Sequence, residues 1–115
     1  MTPQTERSRV SFGDFEFDPT TGELLKFGRA VKLQPQPVRV LELLVSRPGE
    51  LVTREELQQV LWPDGTSVEF DQGLNFCIRQ IRAALGESAS EPKYLETLPK
   101  RGYRFIAPIN TEMAP

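Results

Sequence analysis

Apolar residues recur along this chain with two different periods, and the change of period divides it. From Val10 to Leu33 they come in short pieces: Val10 and Phe12, Phe15 and Phe17, Leu24, Leu25 and Phe27, then Val31 and Leu33. Turn formers separate them: Gly13-Asp14, Asp18-Pro19-Thr20-Thr21-Gly22 and Gly28-Arg29. Alternation between turn signals predicts three or four short antiparallel strands with one face covered. The period then lengthens. Val38, Leu41, Leu44 and Val45 fall on one helical face, with Gln36-Pro37 in the first turn and Pro48-Gly49 as the stop. A second helix starts at Thr53-Arg54-Glu55-Glu56, where Thr53 and Glu56 have the spacing of a capping box. Its apolar face is Leu57, Val60 and Leu61, and Trp62-Pro63-Asp64-Gly65 ends it.

A third helix is predicted over residues 71–85, with Asp71 as N-cap and Gly86 as the residue after the C-cap. Leu74, Ile78, Ile81 and Leu85 repeat at i, i+4, i+7 and i+11, a core stripe. Two strands follow, 94–98 and 103–106, joined by Pro99-Lys100-Arg101-Gly102 into a hairpin with a basic tip. Residues 1–9 are polar and 110–115 are few, so both ends are expected to fray. The domain is predicted to occupy residues 10–109 of the chain, with 110–115 a tail or the start of a linker.

Charge changes this picture more than composition does. The 115 residues suffice for one compact domain. The formal net charge is −2, unpromising for a nucleic-acid binder as an average. Its distribution is uneven. Residues 71–105 hold six basic and four acidic side chains, net +2, while the rest hold eight basic and twelve acidic, net −4. Residues 72–85 contain no acid. The absence of His and the single Cys77 exclude a Cys/His zinc site, and no clustered Asp/Asn loop suggests a site for a harder ion. No glycine-rich phosphate loop, nucleophile motif or histidine base points to catalysis, so neither enzyme activity nor a cofactor is expected. No apolar run is long enough to span a bilayer and no signal-peptide stretch opens the chain, so a cytoplasmic location is expected.

Opposite or beside its core stripe the third helix carries Asn75, Arg79 and Arg82, with Phe76, Gln80 and Ala83 next to them. Amides and guanidiniums without carboxylates suit base edges in a major groove: Arg to guanine, Asn or Gln to adenine, an apolar group to the thymine methyl. Taken alone, the same pattern also fits a solvated helix face carrying Arg for solubility. The hairpin tip Lys100-Arg101-Gly102, followed by Arg104, suits a phosphate backbone or a minor groove. It equally fits a charged turn that guards an edge strand. The order is more specific than either piece. Helix, capped helix, loop, Arg-bearing helix and basic hairpin is the helix-turn-helix plan with a wing.

On these motifs the chain resembles the DNA-binding domain of the OmpR/PhoB class of winged-helix regulators, in particular the CadC/ToxR-like branch. The resemblance covers residues 10–109. It rests on residues 17–24 (FDPTTGEL), 48–54 (PGELVTR), Leu61-Trp62, 78–85 (IRQIRAAL) and 97–105 (TLPKRGYRF). It implies an α+β winged helix-turn-helix: an N-terminal antiparallel sheet, three helices and a C-terminal β-hairpin wing. It further implies sequence-specific binding of double-stranded DNA by a bacterial transcription regulator. Asn75, Phe76, Arg79 and Gln80 are then the base-facing residues. Trp62, Thr66, Ser67, Arg82, Lys100, Arg101, Tyr103 and Arg104 are the backbone contacts. Loop 63–70 corresponds to the segment that can touch RNA polymerase, and family members often bind direct repeats as head-to-tail pairs. In the CadC/ToxR-like branch the winged helix precedes sensing parts, often across a membrane, so a tether C-terminal to this chain fits the resemblance. Three departures stand out: Pro99-Lys100-Arg101 where many relatives carry Arg-Gly, Gln80 in place of a common basic residue, and Gly73, which is expected to loosen the helix's first turn. A winged helix that mediates protein contacts without DNA readout is the alternative.

Overall fold

The computed structural model describes residues 8–62, 70–87, 90 and 92–113. Eight strands and three helices follow in the order β1 (Ser8–Phe12), β2 (Phe15–Asp18), β3 (Glu23–Lys26), β4 (Arg29–Val31), α1 (Pro35–Ser46), β5 (Leu51–Thr53), α2 (Arg54–Leu61), α3 (Phe70–Leu85), β6 (Leu95–Leu98), β7 (Gly102–Phe105) and β8 (Asn110–Met113). The α+β class and the winged-helix plan expected from the sequence are both present.

One antiparallel sheet has the order β4-β3-β2-β1-β8. Alternation along β1 and β2 buries Val10, Phe12, Phe15 and Phe17. Asp18 begins the tight turn after β2: its carboxylate accepts from the Thr20 N–H (2.9 Å) and its carbonyl from the Gly22 N–H (2.7 Å). The expectation of fraying ends is corrected for residues 8–9 and 110–113, while residues 1–7 and 114–115 lie outside the described residues. Ser8 and Arg9 belong to β1, and residues 110–113 pair with it in register Ser8↔Met113 to Ser11↔Asn110. Backbone pairing along β1 holds these residues, which apolar patterning cannot report.

The second sheet has the order β5-β7-β6, with β7 in the centre. The β5 strand was not foreseen. Its three residues are too few for a visible period, and it exists because Leu51, Val52 and Thr53 pair with Arg104, Tyr103 and Gly102. Gly102 permits that approach, since a Cβ there would collide with the Val52 carbonyl. The wing is therefore a hairpin braced by a third strand, not a free one.

The helices enclose the core that α3 stands on. Val40, Leu41, Leu44 and Val45 of α1, Leu57 and Leu61 of α2, and Leu74, Ile78, Ile81 and Leu85 of α3 are all buried. The capping box forms as the spacing predicts: Thr53 Oγ1 accepts from the Glu56 N–H (3.1 Å) and the Glu56 carboxylate accepts from the Thr53 N–H (2.8 Å). Helix α3 begins at Phe70, one residue before the expected cap, so Asp71 lies in the first turn and its carboxylate pairs with Arg54. An aromatic cluster ties the first sheet to the base of the wing: Phe12 meets Phe105 edge-on at 5.0 Å, and Tyr94 contacts both Phe12 and Phe15.

Candidate nucleic-acid interface

The outward stripe of α3 is built by spacing. Gln72, Asn75, Arg79 and Ala83 are separated by three, four and four residues, and all four are exposed. Among the described residues, Arg79 forms no ion pair with a carboxylate. Gln80 and Phe76 are half-buried at the border of this stripe. Gln72 was not among the residues singled out from the sequence. Its signal was there, in the same spacing one turn before Asn75.

Arg82 lies beside this stripe and is engaged differently. Its side chain is only 12% exposed. One Nη donates to the Leu95 carbonyl (3.0 Å) and to Thr97 Oγ1 (2.9 Å), and its Nε faces the Glu87 carboxylate at 3.6 Å. The Glu87 side chain is wholly buried and accepts from the backbone N–H groups of Lys93 (2.7 Å), Tyr94 (2.7 Å) and Leu95 (3.2 Å). The Arg82–Glu87 pair thus clamps the end of α3 to the start of β6. It fixes the angle between helix and wing, and Arg82 is not presented to a phosphate.

The wing divides in the same way. Lys100 and Arg101 are exposed at the tip. Pro99 and Lys100 are the central residues of a turn closed by the Arg101 N–H donating to the Leu98 carbonyl (2.9 Å). Lys100 has a φ of 66°, a left-handed conformation rare for a residue with a Cβ. Arg104 faces Glu96 across the hairpin, its Nε donating at 2.9 Å, so an internal carboxylate already offsets its charge. The expectation that Tyr103 contacts backbone phosphates is corrected: its side chain is 5% exposed. Tyr103 and Phe105 alternate inward on β7, and the ring belongs to the core.

Trp62, directly after α2, stands edge-to-face on Phe70 (5.6 Å, 82°). Its ring also lies over Gly73, where a Cβ would come within 2.5 Å of it. Gly73 is therefore the seat of Trp62, and the half-buried Trp62 serves packing in this structure. The Arg54 guanidinium lies over the Phe70 ring, 5.4 Å from its centroid. Its backbone N–H donates to the Arg101 carbonyl (3.2 Å), which joins the start of α2 to the wing tip. Thr66 and Ser67 lie outside the described residues, as does loop 63–69. Asn75, Arg79, Lys100 and Arg101 remain as candidate contacts with exposed side chains.

Comparison with known proteins agrees with this geometry. The sequence model of the family described as "Transcriptional regulatory protein, C terminal" matches residues 28–105. The cholera toxin transcriptional activator of Vibrio cholerae is 33% identical over 100 residues, covering 84% of this chain and 34% of that protein. The chain thus spans about a third of that relative's length. Among solved structures, the DNA-binding domain of Escherichia coli CadC superposes with a TM-score of 0.72 at 26% identity, covering 90% of this chain and 96% of that one. The DNA-binding domain of Klebsiella pneumoniae RstA, solved in complex with the RstA box, gives 0.72 at 26% identity, covering 85% and 96%. The chain belongs to this family: it is an OmpR/PhoB-type winged-helix domain of the transcriptional regulatory proteins, a regulator module and not an enzyme.

Proposed function

We propose that this domain reads specific sites on double-stranded DNA, with α3 in the major groove and the wing tip on the adjacent minor groove or backbone. The observation that carries the reading is the exposed, acid-free stripe Gln72–Asn75–Arg79–Ala83, flanked by a wing whose two tip cations have no described internal partner. Amide and guanidinium groups in that spacing match the donor and acceptor pattern of base edges. Lys100 and Arg101 match phosphate. The K. pneumoniae RstA domain, of the same fold, was solved in complex with the RstA box, which supports DNA as the partner. The domain then works where the chromosome is, in the cytoplasm. Contact of loop 63–70 with RNA polymerase, head-to-tail pairing on direct repeats and a membrane tether in a longer protein are further parts of this reading.

Selection of bound sites from a random duplex pool at two salt concentrations tests it. A consensus should emerge, and affinity should fall steeply with salt, with a log–log slope of about −4 to −5 for four to six phosphate contacts. Absence of a consensus together with weak salt dependence is the result expected of a protein-interaction module instead, and it overturns the proposal.

A further inference from the structure

Arg82 and Glu87 are joined to each other twice. The Glu87 N–H donates to the Arg82 carbonyl (3.0 Å) and the Gly86 N–H to the Ala83 carbonyl (3.3 Å), with Gly86 left-handed at a φ of 74°. This pair of bonds is a Schellman cap, which ends α3 and turns the chain back. The two side chains then meet again on the far side of the turn. The Glu87 carboxylate, with no exposed surface, takes the N–H groups of Lys93, Tyr94 and Leu95. The Arg82 guanidinium takes the Leu95 carbonyl and Thr97 Oγ1. Both partners of Leu95 along its backbone therefore belong to this pair, one on each side of the residue that opens β6.

Burial alone does not account for the arrangement. Two desolvated charges are costly, and an apolar pair of similar volume seals such a gap as well or better. A charged pair adds direction, because a guanidinium and a carboxylate that each engage several partners fix angles as well as distances. Among the described residues, the hydrogen bonds from α3 to the wing strands β6 and β7 come from Arg82. Tyr94 is held from behind by the Phe12 and Phe15 rings, so the base of β6 has a rigid backstop. Five residues separate Leu95 from Lys100, about 15 Å of strand and turn, so a tilt of about 10° at the base carries the tip roughly 2–3 Å, about the length of a hydrogen bond.

We propose that Arg82 and Glu87 are positioning residues for DNA reading: they set the wing at the angle to α3 at which Lys100 and Arg101 reach phosphates while Asn75 and Arg79 reach base edges. Neither touches the duplex itself. The inference rests on the DNA reading proposed above, and it gives Arg82 a role opposite to that of a phosphate contact.

A double-mutant cycle tests it, with Kd on a selected site referred to the folded fraction measured by circular dichroism. Arg82→Ala should weaken binding about tenfold and lower the salt slope by up to about two, the worth of two phosphate contacts. Glu87→Gln keeps the volume and an acceptor for the N–H groups, so it should fold and shift Kd and slope in the same direction. Neither substitution should weaken binding further when Lys100 and Arg101 are already alanine, because the wing then has nothing to position. Equal losses in both backgrounds, or no loss in either single variant, overturn the proposal. A loss in Arg82→Ala without one in Glu87→Gln marks a direct phosphate contact and overturns it as well. If the wild type selects no duplex, DNA reading falls by itself, and the angle is then decided on the free domain by residual dipolar couplings. The amides of β6 and β7 should keep one orientation to those of α3 in the wild type and take another in Glu87→Gln. An unaltered orientation in that variant overturns the positioning role.

Discussion

Arg79 and Arg82 are three residues apart on one helix, and their surroundings give them different work. Arg79 projects into solvent. Arg82 is turned inward onto Glu87, Leu95 and Thr97. Arg79→Ala is expected to cost roughly 1–3 kcal/mol on a cognate duplex and to relax base preference at one position. Binding isotherms against a panel of single-base variants check this, and an unaltered preference removes Arg79 from the reading set. Gly73 shows the same dependence on context. Helix propensity alone makes Gly73→Ala stabilising by about 1 kcal/mol. The new Cβ meets the Trp62 ring at 2.5 Å, so the ring must leave its seat beside Phe70. The variant should show no such gain, and the emission of the single tryptophan should shift to the red. A blue-shifted or unchanged spectrum with higher stability counts against this account. That Gly73 seats an indole was not legible in the sequence, because the two residues meet only through the packing of α2 on α3.

At the scale of elements, α2 was the most legible and the β5 and β8 strands the least. The capping box needs only four consecutive residues, so the Thr53–Glu56 spacing sufficed to predict it. Its electrostatics are tertiary. The Thr53 backbone N–H and, second, the Arg47 guanidinium hold the Glu56 carboxyl below its usual 4.5. A depressed folded value means that the stabilisation is fully present above the unfolded value and is lost as pH falls through the folded one. Stability measured by urea denaturation should therefore drop on acidification below about pH 4.5, and less steeply in Glu56→Gln than in the wild type. Equal slopes locate the acid sensitivity elsewhere. The wing's basic tip was equally plain from Lys100-Arg101, but the internal partners of Arg104 and Tyr103 were not. Strand alternation shows which residues share a face, and it does not show which face meets the core. Lys100→Ala combined with Arg101→Ala should weaken binding to all duplexes alike and flatten the salt slope by about two units. A slope that holds its value places the tip off the phosphates.

Across the whole molecule, the two sheets stand on the helical core, and the Phe12–Phe105–Tyr94 cluster joins the first sheet to the wing base. The β8 strand closes one edge of that first sheet. Deleting residues 110–115 should expose the β1 edge and lower Tm by several degrees, a loss of about 1 kcal/mol in a domain of this size. It should leave the one-site DNA affinity of the folded fraction unchanged; a large loss of affinity instead means that β8 supports the interface directly. The sequence by itself determined the elements whose cause is local: the period-two pieces, the helical stripes, the cap, the turns and the acid-free face of α3. Each is set by residues a few positions apart, so it survives without knowledge of the rest. Only the tertiary structure decided the β5 and β8 pairings, the seat of Trp62, the burial of Tyr103 and the inward turn of Arg82. Those depend on groups as far apart in the chain as Ser8 and Met113, whose meeting is set by core packing and backbone hydrogen-bond satisfaction, and neither leaves a period in the chain.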